Sequence, residues 1–165
     1  MRFRSWVIVL AAGLCGCGKG KEPASQIEER ALTDDAEGRT VAAIKKLGGW
    51  VKQDETVAGK SFVVVLEGAI VTDTVLKELA PLKGLKTLSL RNTEVTDAGL
   101  KELAQLKSLA FLNIADTKVT DAGLKELAAL KTLTSISMYR TKVTEAGVAD
   151  LKKALPGCKI TIPNH

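Results

Sequence analysis

The chain has 165 residues, enough for one domain, and its 45% hydrophobic and 26% charged residues are the balance of a chain that buries a core. Aromatics make up only 4%, so that core must be aliphatic. The formal net charge is +5, or +3 once Arg2 and Arg4 of a removable-looking N-terminal segment are set aside, too mild an excess to indicate nucleic acid.

The N-terminus, MRFRSWVIVLAAGLCGCGKG, places two arginines before an apolar run from Trp6 to Leu14 and then small residues, the pattern of a secretory signal. The run is far short of the ~20 residues that span a bilayer. Leu14-Cys15-Gly16-Cys17 resembles the lipobox of bacterial lipoproteins, with leucine at minus three and a small residue at minus one. That resemblance implies cleavage after residue 16 and acylation of Cys17, although a cysteine at the middle position departs from the usual alanine, serine or threonine. The alternative is a plain secreted or periplasmic soluble protein. If Cys15 leaves and Cys17 carries lipid, only Cys158 remains and no internal disulfide can form.

Residues 17 to 33 are polar, charged and glycine-containing, and read as a tether. From Asp34 the pattern changes to a capping box, Asp34-x-x-Glu37, then Val41, Ile44 and Leu47 at helical spacing, then Gly48-Gly49 as a stop. Trp50-Val51 and the β-branched run Phe62 to Leu66 read as strands flanking a polar connection. Residues 34 to 61 are expected to close the first end of the fold, burying Trp50 and Phe62.

A period of 24 governs the rest. VTDAGLKELA occurs without change at 95 to 104 and 119 to 128, and aligning 85 to 108 with 109 to 132 gives 15 identities without a gap. Val64, Leu88, Leu112, Ile136 and Ile160 recur in frame, as do Leu66, Leu90, Ile114, Met138 and Ile162. Five strands and four helices follow, over residues 62 to 162. Within each unit, alternation turns Leu88 and Leu90 to one side and Thr87, Ser89 and Arg91 to the other, while Leu100, Leu103 and Leu106 share a helical stripe. One such unit cannot enclose a core, but stacked copies can.

L-x-x-L-x-L-x-x-T-x-V, as in Leu85, Leu88, Leu90, Thr93 and Val95, resembles the leucine-rich repeat. The continuation V-T-D-A-G-L-x-x-L-A-x-L is similar to long-helix repeats of the ribonuclease-inhibitor type, to F-box substrate receptors and to short exported repeat proteins of planctomycete-type bacteria. The resemblance implies an α/β fold: a right-handed solenoid with a curved parallel sheet on the concave face and helices on the convex face, capped by the N-terminal helix and strand.

Thr96 is placed to cap its helix and Asp97 to add charge at the helix start. Gly99 is expected to allow close packing between coils, although Val75 replaces it in the first unit. Thr93, Thr117 and Thr141 are expected to form a hydrogen-bond ladder between coils. Asp97 and Asp121 lack further acids with which to hold a metal, and Cys158 is expected to be a buried thiol.

Function is sought where the repeats differ. The outward strand positions and the residue beyond each strand yield Arg91, Phe111, Asn113, Tyr139 and Arg140 as the candidate partner-binding set. Lys83, Lys107 and Lys131 recur at the helix exits as a row. The sole histidine is His165, and no nucleophile, phosphate loop or metal motif appears, so no enzyme and no cofactor are expected. The expectation is an exported, lipid-anchored envelope module that binds a protein or peptide, with no nucleic acid partner. The alternative is a structural envelope protein meeting anionic lipid or wall polymer through the lysine row. An F-box-like adaptor role is remote, given the export signal.

Overall fold

A computed structural model describes residues 36–56, 59–68 and 71–162 of the chain. The signal, Cys17, the tether and Asp34 lie outside the described residues. In chain order the elements are helix α1 (Ala36–Lys46), strands β1 (Trp50–Thr56) and β2 (Gly59–Val65), then α2 (Asp73–Glu78), β3 (Leu85–Ser89), α3 (Asp97–Leu103), β4 (Phe111–Asn113), α4 (Asp121–Leu127), β5 (Ser135–Ser137), α5 (Glu145–Ala154) and β6 (Lys159–Thr161).

The six strands form one sheet in sequence order. β1 runs antiparallel to β2, and every later pair is parallel, with Leu88 opposite Leu112 and Ile136 opposite Ile160. The 24-residue period therefore sets the register directly: equivalent residues stack. Each parallel step is bridged by one helix, so strands occupy one layer and helices the other. Strands pack about 4.8 Å apart and helices 8–10 Å apart, which bends such a stack toward its strands and makes the sheet face concave.

The core is the aliphatic interior between the layers. Val64, Leu88, Leu90, Ile114, Ile136 and Met138 from the strands meet Leu76, Leu100, Leu103, Leu124 and Leu127 from the helices, all essentially without solvent exposure. Ile162, in frame with this row, is 42% exposed because no described coil covers its far side.

At the first end, α1 packs Ile44 into the core, and the buried Thr40 hydroxyl donates to Ala36 O and to Glu78 O at the end of α2. Glu37 pairs with Lys60 Nζ at 3.4 Å, and its capping-box partner Asp34 lies outside the described residues. Phe62 is buried as expected, but Trp50 is 54% exposed. The reason is strand parity. Trp50 pairs with Val65 while Val51 pairs with the buried Val64, so Trp50 must share the outward face of Val65.

The threonine ladder also differs from expectation. Thr93, Thr117 and Thr141 donate to Leu90 O, Ile114 O and Met138 O, three residues back in their own coils. A tight turn satisfies each hydroxyl locally before a neighbouring coil can compete.

Candidate functional site

The repeated VTDAGL segment is where the coils are joined. The Asp73 carboxylate accepts Thr96 N–H at 2.9 Å and the Thr96 hydroxyl at 2.6 Å. Asp97 accepts the same two donors from Thr120 at 2.8 and 2.7 Å, and Asp121 from Thr144 at 2.7 and 2.6 Å. Each threonine oxygen in turn caps its own helix, accepting from Ala98, Ala122 or Gly147 N–H at 3.3 Å. The Thr144 hydroxyl, followed by the Thr144 N–H, holds the Asp121 carboxyl below its ordinary value of 3.8.

This ladder explains the glycine. A methyl group on Gly123 would lie 2.5 Å from Asp97 Oδ1 of the preceding coil, and Gly99 and Gly147 face Asp73 and Asp121 in the same way. Val75 is tolerated because the residue 24 positions before Asp73 is Gly49, with no carboxylate to meet it. Glu145 replaces the aspartate where no threonine follows one coil on among the described residues. Every carboxylate of this motif is thus committed to protein donors where a next coil exists. Among the described residues no three His, Cys, Asp or Glu side chains converge on a metal-sized site.

The concave face is laid out in rows by the register. One row runs Lys52, Val63, Thr87, Phe111, Ser135, Lys159, and the next Trp50, Val65, Ser89, Asn113, Ser137, Thr161. Phe111 is 52% exposed, in the same range as Trp50, and the half-buried Val63 and Val65 lie between them with Thr87 and Ser89. The apolar part of this face therefore centres on β1 to β4, a grouping missed by assigning Trp50 to the core. Asn113 serves its own turn, its Oδ1 accepting Ala115 N–H at 3.0 Å.

Tyr139 and the two arginines lie elsewhere. Tyr139 is four residues further along than Ser135, the partner of Phe111, so it sits about 13 Å away along the strand direction. Just beyond the strands, Gly68, Asn92, Asp116 and Arg140 all take left-handed backbone, with φ of 63°, 56°, 55° and 54°. Glycine, asparagine and aspartate occupy that region readily, whereas Arg140 does so at a cost of about 1 kcal/mol. Asp116 is the centre of this margin: Arg140 Nε approaches Oδ1 at 3.2 Å and Arg91 Nε approaches Oδ2 at 3.7 Å. The Arg140 guanidinium lies 5.8 Å from the Tyr139 ring centroid. Both contacts to Asp116 run through Nε, and both arginine side chains are well exposed. The five candidates thus place Phe111 and Asn113 on the sheet face, with Asn113 also holding its own turn, and Arg91, Tyr139 and Arg140 at a margin where both arginines pair with Asp116.

Residues 85–104 and 105–128 match the family described as Leucine Rich repeat. No match is found among curated proteins. Among solved structures, the chain is similar to internalin C2 of Listeria monocytogenes, at 26% identity and TM-score 0.43 over 53% of this chain and 38% of the internalin. It is also similar to a leucine-rich-repeat protein of Leptospira interrogans, at 28% identity and TM-score 0.42 over 52% of this chain and 21% of that one. The leucine-rich-repeat ectodomain of the receptor kinase SOBIR1 from Arabidopsis thaliana follows at 13% identity and TM-score 0.40, covering 78% and 97%. The chain spans less than two thirds of the length of the first two. The matched repeats, continued in frame through a sheet of parallel strands with one helix per step, make this chain an α/β leucine-rich-repeat solenoid.

Proposed function

We propose that the protein is a non-enzymatic binding module that holds another protein or peptide on its concave sheet face. One observation carries this: Trp50 and Phe111 both stand more than half exposed on the same face of the sheet, Phe111 between Thr87 and Ser135 of the neighbouring strands and Trp50 beside Val65. Aromatic side chains dominate interface energetics where a partner buries them. Arg91, Tyr139 and Arg140 add a margin suited to hydrogen bonding at the rim. The partner class is that of the leucine-rich-repeat family to which the repeats belong.

We propose further that the chain is exported and anchored to a membrane of the bacterial envelope through an acylated Cys17. The charged start, short apolar run and lipobox-like Leu14 to Cys17 support that reading. Replacing Cys17 by serine in the source cell should shift the protein from the membrane to the soluble fraction, and full retention of the serine variant would overturn the anchor.

The binding face is tested by placing a photo-reactive phenylalanine analogue at Phe111, at Trp50, or at the exposed helical residue Ala149. Irradiation in the source envelope should yield a cross-linked protein adduct from the first two positions and none from the third. Equal adducts at all three, or none at Phe111 and Trp50, would refute the concave-face assignment.

A further inference from the structure

The two long edges of the solenoid carry opposite charge. On one edge lie the segments that leave each helix and enter the next strand: 79–86, 103–110, 127–134 and 154–159. They contain Lys83, Lys86, Lys107, Lys131 and Lys159, and not one acidic residue. On the other edge the segments 66–73, 90–97, 114–121 and 138–145 contain seven carboxylates, Glu67, Asp73, Glu94, Asp97, Asp116, Asp121 and Glu145, against the four cations Arg91, Lys118, Arg140 and Lys142. All five lysines of the first edge are exposed. Lys131 donates to Ala154 O at 3.1 Å, while Lys83, Lys86 and Lys107 have no side-chain partner among the described residues.

A second, independent observation concerns where the chain enters the domain. The first turns of α1 sit on this same edge, because Glu37 pairs with Lys60 near the start of β2 and Thr40 donates to Glu78 O at the end of α2. The 35 residues that precede Ala36 are therefore joined to the fold at its lysine edge.

We propose that this edge docks on an anionic lipid bilayer, with the solenoid standing edge-on, its carboxylate-rich edge turned away and its concave face open sideways to a partner. From β2 to β6 four strand steps set the edge at about 19 Å, long enough to meet a plane of diffuse negative charge with several lysines at once. Lysine is a compact point charge on a flexible stem and fits mobile headgroups, and the segments 79–86, 103–110, 127–134 and 154–159 hold no arginine or aromatic residue of the kind that reads nucleic acid. Each lysine near an anionic leaflet strengthens binding about fivefold, so three acting together give about a hundredfold. The proposal stands apart from the partner-binding reading, since it involves neither Phe111 nor Trp50.

The test measures association of the full-length chain with vesicles of phosphatidylcholine containing a third of phosphatidylglycerol, and with pure phosphatidylcholine vesicles to account for the apolar run at 6–14. Two triple variants of equal net charge are compared: Lys83→Glu/Lys86→Glu/Lys107→Glu on the edge, and Lys45→Glu/Lys46→Glu/Lys142→Glu away from it. The expected result is affinity for the anionic vesicles lowered more than about a hundredfold in the first variant and less than about threefold in the second, with 0.5 M salt abolishing the difference. Glutamine at the same three edge positions should give a smaller loss in the same direction, with circular dichroism unchanged in all variants. Equal weakening by both triple variants would overturn the proposal. So would equal binding of the unaltered chain to both vesicle types, or binding to soluble polyphosphate with none to vesicles.

Discussion

Replacing Asp97 by alanine should destabilise the fold far more than an aspartate on a short surface helix ordinarily would. Its carboxylate accepts Thr120 N–H at 2.8 Å and the Thr120 hydroxyl at 2.7 Å across the junction between coils. Two charge-assisted bonds at a half-exposed site contribute about 1 kcal/mol each, and loss of a negative charge from the start of α3 adds about 0.5 kcal/mol. The expected cost is about 2–3 kcal/mol, or roughly 10 °C in Tm for a domain of this size. The fold carries its own control in Glu145. That residue has the same place at the start of α5 but faces no threonine of a following coil among the described residues, so Glu145→Ala should lose only the helix-end contribution of about 0.5 kcal/mol. Urea unfolding followed by circular dichroism measures both, and an unchanged slope with denaturant assigns the difference to stability rather than to the unfolded state. If the two substitutions cost the same, or Asp97→Ala costs less than about 0.5 kcal/mol, the carboxylate-threonine ladder does not hold the coils together.

Two further outcomes test the same joint. Gly123→Ala gains helix propensity yet places a methyl 2.5 Å from Asp97 Oδ1, so it should destabilise by about 1–2 kcal/mol. Combined with Asp97→Ala it should cost clearly less than the sum of the two single changes, and strict additivity in urea midpoints would remove the steric link between them. The Asp121 carboxyl is held below its ordinary 3.8 by Thr144, so its contribution is complete above that value and is lost as pH falls through the lowered one. Stability measured between pH 5 and pH 3 should therefore fall less steeply in Asp121→Asn than in the unaltered chain, and identical slopes would count against the carboxylate's role.

The partition of the chain into core, turn and surface was legible wherever the 24-residue period could do the work. Leu88, Leu112 and Ile136 are buried and mutually paired because an in-frame repeat stacks equivalent residues. Trp50 shows where that method stopped. It precedes the repeats, so no period placed it, and its bulk suggested burial, but the antiparallel pairing of Trp50 with Val65 fixes its face by parity alone. The face that carries Phe111 therefore also carries Trp50, while Tyr139 stands beside Arg140 at the margin around Asp116.

Asp97, Thr120 and Gly123 could also have been linked in advance. Glycine is missing from the motif only at Val75, the one copy with no aspartate 24 residues before its own. The sequence held that correlation but not its cause, because hydrogen bonds between residues 23 apart require the coil spacing to be known.

By itself, then, the sequence determined the repeat length, the alternation of strand and helix and the aliphatic core, since all of these follow from local periodicity and composition. The tertiary structure alone decided which face Trp50 occupies, that the aspartates clasp the next coil, and that lysines and carboxylates separate onto opposite edges where the N-terminal segment joins the lysine side. These depend on the pairing of β1 and on the parallel alignment of successive helices, which bring together groups that no local pattern along the chain relates.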